Sequence, residues 1–364
     1  MELKRERLWY ADILRLLAIL MVLTIHITSK DFHRVDITSV HWQLMNVLNS
    51  LSRISVPLLF MVSGIFFLDP DKEVSLHTLL TKNISRLIRA FIFWSAIYVL
   101  FNRIIDIETL FADRSVAQAL PETVTPEAVE ENLFEFIQGY FHLWFLFQMA
   151  QVYLFVPLLR PIAKGRSLHL YAIGLAIVVG ILTPTLRQFP VLSNVTLVEK
   201  GIQLEITFGY LAYFLTGSAI ARYDLSKTIR HILYTGGILA SLITILGTAF
   251  YSIQQGSHYT LFYEYLTPNV FVMTLAAFAF IQSKGKDFKP SPQIKRLLVT
   301  STNYSFGVYL VHVLIRDFIW LAGWNTTLFT PWLSIPVSMI LVPLGSIPII
   351  WLMKRIPFLR ETIQ

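Results

Sequence analysis

The sequence predicts an all-α, polytopic membrane protein with about ten transmembrane helices and both termini in the cytoplasm. Three observations carry this. First, 55% of the 364 residues are hydrophobic and only 15% are charged, against about 25% charged in ordinary soluble domains, and the mean hydropathy is +0.59. Second, ten segments approach the roughly 20 apolar residues that cross a bilayer. Third, the charges between those segments are sorted by side.

The candidate spans are residues 10–28, 42–68, 87–105, 136–159, 168–184, 203–221, 231–252, 264–282, 298–321 and 331–353. Alternate loops share a side. One set holds Lys4, Arg5 and Arg7, then Lys72, Lys82, Arg86 and Arg89, then Arg160, Lys164 and Arg166. It continues with Arg222, Lys227 and Arg230, then Lys284, Lys286, Lys289, Lys295 and Arg296, and closes with Lys354, Arg355 and Arg360. These are 21 of the 30 Lys and Arg. The opposite set holds only Lys30, Arg34, Arg103, Arg114, Arg187, Lys200 and Arg316. Cytoplasmic loops are the basic ones, so both termini read as cytoplasmic. Segment 10–28 carries Arg15 and His26 and lacks a small-residue cleavage site, so it reads as a span and not a signal peptide.

Composition also excludes. A chain this apolar offsets its ordering entropy and is not disordered. The +7 net charge is distributed by topology, with a contact to lipid headgroups as its further use, and does not form a nucleic-acid footprint. With no cysteine, disulfides, thiolate metal sites and a cysteine acyl-enzyme are ruled out. No HExxH pair supports a metal site and no glycine-rich phosphate loop is present. The 106–135 segment carries eight carboxylates against Arg114, is broken by Pro121 and Pro126, and reads as a solvated external loop or a lid.

Charges at bilayer depth cost about 2.5–3.5 kcal/mol or more and therefore face protein. Arg15 and His26 in the first span are eleven residues apart, about three helical turns and about 16 Å, so they share one face. Asp12 lies one turn before Arg15 and pairs with it. Arg53 sits near the middle of the second span, ahead of Ser63 and Gly64, whose small side chains indicate close helix packing. His142 opens the fourth span beside Trp144. In the ninth span Ser305, Tyr309, His312 and Arg316 recur at i, i+4, i+7 and i+11, one polar stripe on an apolar helix. Glu205 and Glu264 read as interfacial. His33, His41, His77, His169, His231 and His258 read as solvated.

The chain resembles the acyltransferase-3 family of integral membrane O-acyltransferases. Arg15 and His26 match its R-x10-H signature and Arg53 precedes PLLFMVSG. HLWFL at 142–146, YFLTG at 213–217 and YSFGVYLVH at 304–312 follow in order. The resemblance implies one integral membrane domain over 1–364, without the extracellular hydrolase-like domain of longer members, and a location in the bacterial inner membrane. It implies an acyl-CoA donor, acetyl-CoA or sometimes succinyl-CoA, held by no permanent cofactor or metal. The acceptor would be a hydroxyl of an exopolysaccharide or lipid-linked surface glycan, with a polysaccharide synthesis or export complex as a further partner. On this reading His26 is the general base with His312 as second choice or partner. Arg15 and Arg53 hold the phosphates, His142 belongs to the donor site, and Tyr309 or Ser305 supports the thioester oxyanion. The competing reading is a glycan transporter or flippase without covalent chemistry, against which stand the lack of an inverted repeat and of paired broken helices. A structural partner of a polysaccharide synthase would leave the polar stripes unexplained.

Overall fold

A computed structural model describes residues 7–101, 126–188 and 204–363. Residues 106–125 of the acidic segment, the end of the expected third span and the extreme N-terminus lie outside them, as does the side chain of Glu205. The described residues are helical with no strand. The main helices are α1 (Trp9–Phe32), α2 (Val40–Ser52), α3 (Ser55–Phe67), α4 (Ser85–Val99), α5 (Pro126–Gln138), α6 (Trp144–Leu154) and α7 (Val156–Lys164). After them come α8 (Arg166–Ile177), α9 (Leu204–Arg222), α10 (Lys227–Gln255), α11 (Pro268–Gly285), α12 (Pro292–Leu321) and α13 (Pro331–Met353).

Seven helical stretches are long and apolar enough to cross a membrane, or eight if the broken pair α6–α7 is one span. Among these, Val40–Phe67 counts as one. The two remaining expected segments, 87–105 and 203–221, coincide with α4 and α9, which are not in that set.

The second span is not the continuous helix expected. It breaks at Arg53 and Ile54, between α2 and α3. The cause is Pro57, whose ring excludes the carbonyl four residues earlier, that of Arg53, and which has no N–H to offer it. The Arg53 N–H turns back to Ser50 O at 3.3 Å and helix resumes with Leu58 N to Ile54 O at 3.0 Å. Pro157, in the first turn of α7, follows the break at Phe155 between α6 and α7, a position where proline is tolerated. The acidic segment also departs from expectation, because Pro126 does not merely break it. Proline suits a first helical turn, and α5 runs on from it.

The chain divides into two compact units, residues 1–73 with 154–305, and 74–153 with 306–364. In the first unit α3 packs tightly on α9. A Cβ on Gly64 would lie 1.9 Å from Phe214 O, and one on Gly217 2.2 Å from Met61 O. Both positions therefore admit only glycine, and the close approach buries Phe60, Met61, Tyr213 and Phe214. A similar contact joins α10 to α11, with Gly237 facing Ala276. The opposite face of α10 leaves Ile238, Leu242, Leu246 and Phe250 exposed, as a lipid-facing helix does. In the second unit α12 and α13 meet through Gly307 against Ile350 and Gly345 against Ile315.

Gly217→Ala forces backbone apart and is expected to destabilise by about 1–3 kcal/mol or more. Gly174→Ala, where nothing lies within 4 Å of the added Cβ, is expected to be neutral or to gain up to about 1 kcal/mol from helix propensity. Thermal unfolding of both variants in one detergent checks the pair. Equal behaviour would contradict the α3–α9 contact.

Candidate functional site

In the first unit, a cavity of about 810 Å³ opens where α1 begins and α3 and α9 end. That is within the range of small-molecule sites, about 300–1,000 Å³. Its charged lining is Arg7, Arg15, Lys72 and Arg222 against Asp12, Asp69 and Asp71, with Tyr10, Phe66 and Ser218 among the rest. Asp12 is buried and forms the keystone. Arg7 Nε donates to its Oδ2 at 2.5 Å and Arg7 Nη2 to Oδ1 at 3.2 Å. The expected Asp12–Arg15 pair is present but longer, 3.7 Å. Arg15 is 34% exposed and stacks over Phe66 at 6.0 Å. Arg222 reaches the carbonyls of Ala163 at 2.6 Å and Lys164 at 3.1 Å, capping the C-terminal end of α7, where a cation meets unsatisfied carbonyls.

Arg53 does not join Arg15. Phe66 lies thirteen residues beyond Arg53, about 20 Å along the α2–α3 axis. Arg53 Nη2 donates to Asn49 Oδ1 at 3.1 Å, and Asn49 Nδ2 donates to Thr28 Oγ1 at 2.6 Å. Thr28 is two residues, about 3 Å of helix rise, from His26. The structure thus sets Arg53 at the depth of His26 and separates it from the cavity end. The guanidinium also lies over the Tyr263 ring at 4.3 Å, within cation–π range. Among the described residues no carboxylate forms an ion pair with it. Tyr263 in turn donates to Asn46 Oδ1 at 2.5 Å, and Asn46 donates to Ile245 O at 3.0 Å. His26 is partly exposed on α1.

The second unit holds the other two candidate histidines, His142 and His312. His142 is 2% exposed and His312 fully buried, with ring centroids 5.3 Å apart, edge to face. Tyr309 donates its hydroxyl to the His142 carbonyl. His312 Nδ1 lies 2.6 Å from Tyr309 O, a contact that puts the ring proton on Nδ1 and makes Nε2 the acceptor. Tyr98 packs edge-on to His142 at 4.9 Å and stacks on Tyr140 at 4.6 Å. Its hydroxyl donates to Leu310 O at 2.9 Å and accepts from Leu314 N at 3.3 Å, spanning both ends of one rung of α12. Arg316 pairs with Asp317 at 2.8 Å and lies over Phe141 at 5.6 Å. Ser305, on α12 in the first unit, donates to Thr302 O at 2.8 Å. Ser305, Tyr309 and His312 of the stripe are buried and Arg316 is half-buried, and the Ser305 and Tyr309 hydroxyl protons are both engaged by carbonyls.

A family model described as an acyltransferase domain matches residues 8–351, nearly the whole chain. The chain belongs to the acyltransferase-3 family. No curated protein and no solved structure matches it significantly. As an acyltransferase-3 protein it is a membrane acyltransferase, and Arg15, His26, Arg53, His142 and the 304–312 segment all fall within the matched region.

Not every histidine set aside is solvated. His169 is fully buried, with Nδ1 3.3 Å from Tyr223 Oη and Nε2 3.1 Å from Leu215 O. His33 is exposed as expected, although it meets half-buried His258 edge to face at 4.7 Å beside Phe32 and Trp42, and desolvation together with the His258 imidazole holds it below the ordinary histidine value. Sequence reasoning also missed Arg7, Lys72 and Arg222 as cavity groups, reading them only as loop charges. It missed Asn49 and Tyr263, the cradle of Arg53; Asn49 lies one turn before Arg53, a spacing that identifies it.

Tyr98→Phe removes two buried hydrogen bonds between α4 and the α12 backbone. The expected loss is about 0.5–1.5 kcal/mol, read as a lowered thermal midpoint by intrinsic fluorescence. An unchanged midpoint would place the hydroxyl outside the α12 ladder.

Proposed function

We propose that this acyltransferase moves an acyl group from acyl-CoA to a carbohydrate hydroxyl of a surface or lipid-linked glycan, with His26 as general base. One observation carries the reading. A single helix, α1, holds Arg15 at the rim of a basic cavity and His26 about three turns further on, level with a guanidinium cradled by Asn49 and Tyr263. The cavity suits the phosphate-bearing end of the donor, because arginine forks match phosphate geometry and charge. The arm that carries the thioester then runs along α1 toward His26, and a sugar hydroxyl meets it there.

Imidazole near its ordinary pKa of about 6.5 suits removal of a hydroxyl proton. As that proton moves to His26, the sugar oxygen bonds to the thioester carbon and the carbonyl electron pair moves onto oxygen. Arg53 is placed to stabilise this oxyanion, a role for positioned donors at the site of developing charge. Collapse re-forms the carbonyl and breaks the C–S bond. The CoA thiolate leaves with the proton returned by His26. Tyr309 and Ser305 are poorer oxyanion donors, since each hydroxyl already donates to a carbonyl. His26 is preferred to His312 as base because it is partly exposed and His312 is fully buried.

The purified protein in nanodiscs, assayed for acyl-CoA consumption with and without glycan acceptor, tests the reading. His26→Ala is expected to lower kcat about 10²–10⁴-fold with donor binding retained. Near-normal turnover would remove His26 from the chemistry.

The two arginines separate in the same assay. Arg15→Ala is expected to weaken acyl-CoA binding by about 1.5–3 kcal/mol and to act chiefly on KM. Arg53→Ala is expected to lower kcat about 10²–10³-fold with a small change in KM, partly restored in Arg53→Lys. A KM effect alone at Arg53 would return it to the donor-binding group.

A further inference from the structure

The acidic segment ends in a helix whose surface does not fit a solvated external loop. Along α5, Val129, Leu133 and Ile137 recur every four residues and form one apolar row, joined by Phe134. All four are exposed, from 51% to 64%. Exposed Glu131 lies on the opposite face, about 160° around the helix from the centre of that row, whereas exposed Glu130 sits at the edge of the row, one turn before Phe134. Monomeric proteins in water rarely leave such a row uncovered.

The end of α5 fixes its depth. Gly139 follows with φ of 76°, and a Cβ there would lie 2.5 Å from the Phe91 ring and 3.3 Å from Ser95 Oγ of α4. The turn therefore requires glycine both for its left-handed backbone and for the close approach. Tyr140 and His142 then pack on Tyr98. Phe91, Ser95 and Tyr98 belong to the apolar part of α4 beyond Arg86 and Arg89. Tyr98 is nine residues, about 13 Å of rise, past Arg89. Phe141 and Phe147, which follow the turn, are exposed as well, and Phe147 packs edge-on against Phe91 at 4.9 Å.

We infer that α5 lies along one leaflet of the bilayer, its Val129–Leu133–Ile137 row in contact with phospholipid acyl chains, Phe134 and Glu130 at the level of the interface, and Glu131 and Glu135 turned toward the headgroups and water. Interfacial amphipathic helices usually add attraction between basic side chains and anionic lipid. This helix carries no basic residue on that stretch, so its insertion rests on apolar burial and on the Gly139 anchor and does not require anionic lipid. The inference stands independently of the proposed acyl transfer.

The chain has no cysteine, which permits a direct test. Single-cysteine variants Leu133→Cys, Ile137→Cys and Glu131→Cys are labelled with the fluorophore NBD and placed one copy per nanodisc in phosphatidylcholine. Unchanged thermal midpoints and monodisperse elution establish that each is folded. Labels at 133 and 137 are expected to emit at shorter wavelength than at 131 and to be quenched several-fold more by nitroxide-bearing lipid. Aqueous iodide is expected to quench in the reverse order. Replacing part of the phosphatidylcholine by phosphatidylglycerol is expected to leave this pattern unchanged. Equal iodide quenching at 131 and 133 would make α5 a solvated loop helix. Protection from both quenchers would mean that protein covers the face. Insertion only with phosphatidylglycerol would mean that headgroup charge, not apolar burial, holds it. Each of these three results overturns the inference.

Discussion

A guanidinium at bilayer depth has to be held by protein, and the first unit is organised around that requirement at Arg53. An uncompensated charge there costs about 2.5–3.5 kcal/mol or more. A charged hydrogen bond returns about 1.5–3 kcal/mol and a desolvated cation–π contact about 2, so Asn49 and Tyr263 together offset the penalty without a carboxylate. Their own partners extend the network. Asn49 ties α2 to Thr28 of α1, Tyr263 binds Asn46, and Asn46 reaches Ile245 of α10. One half-buried cation is thereby tied into a network that joins three helices. Pairing it with an acid would neutralise its charge, whereas an amide and an aromatic face hold it in place and leave it positive, as the oxyanion role proposed for it requires.

The two ends of α1 solve different electrostatic problems. At the cavity end four cations meet three carboxylates, and buried Asp12 draws Arg7 and Arg15 together. The excess positive charge and the partial exposure of Arg15 suit a ligand that brings its own anionic groups and retains some water. At the level of His26 the single guanidinium is already fixed before any ligand arrives. Fixed donors of this kind act through little reorganisation during reaction, while flexible, hydrated cations are better suited to capture.

The helices were legible because apolar length and loop charge are local properties. The α1 face was legible too, since three turns return a side chain to the same direction. The separation of Arg53 from Arg15 was not legible, because spacing across two antiparallel helices carries no depth information until the loop and the break are known. Pro57 announced that break, four residues after Arg53, but did not say which neighbours would receive the guanidinium. Arg7, Lys72 and Arg222 were hidden for a different reason, because a basic residue that orients a membrane protein looks the same in sequence as one that lines a cavity. Helix α5 was masked by its glutamates. Its apolar residues follow the four-residue period of a helix, but acidic content and two prolines outweighed four hydrophobic side chains. His169 looked like an edge residue and is enclosed by Tyr223, Leu215 and Ser218.

Glycine explains how so polar a set of side chains coexists with a packed interior. Tyrosines and arginines on α1, α2 and α12 need room for their rings and forks. That room is available only where neighbouring backbones approach closely enough to exclude water and lipid. At Gly64 and Gly217 the approach of α3 and α9 leaves no space for even a methyl group. Both lie in segments that carry the family resemblance, SG after PLLFMV and YFLTG. α3 runs from just beyond Arg53 to Phe66 beneath Arg15, so in the proposed function its contact with α9 sets the distance between the depth of His26 and the cavity. A helix displaced by one methyl group would shift both ends relative to α1, and a donor stretched between two fixed points tolerates such a shift less well than one bound at a single point.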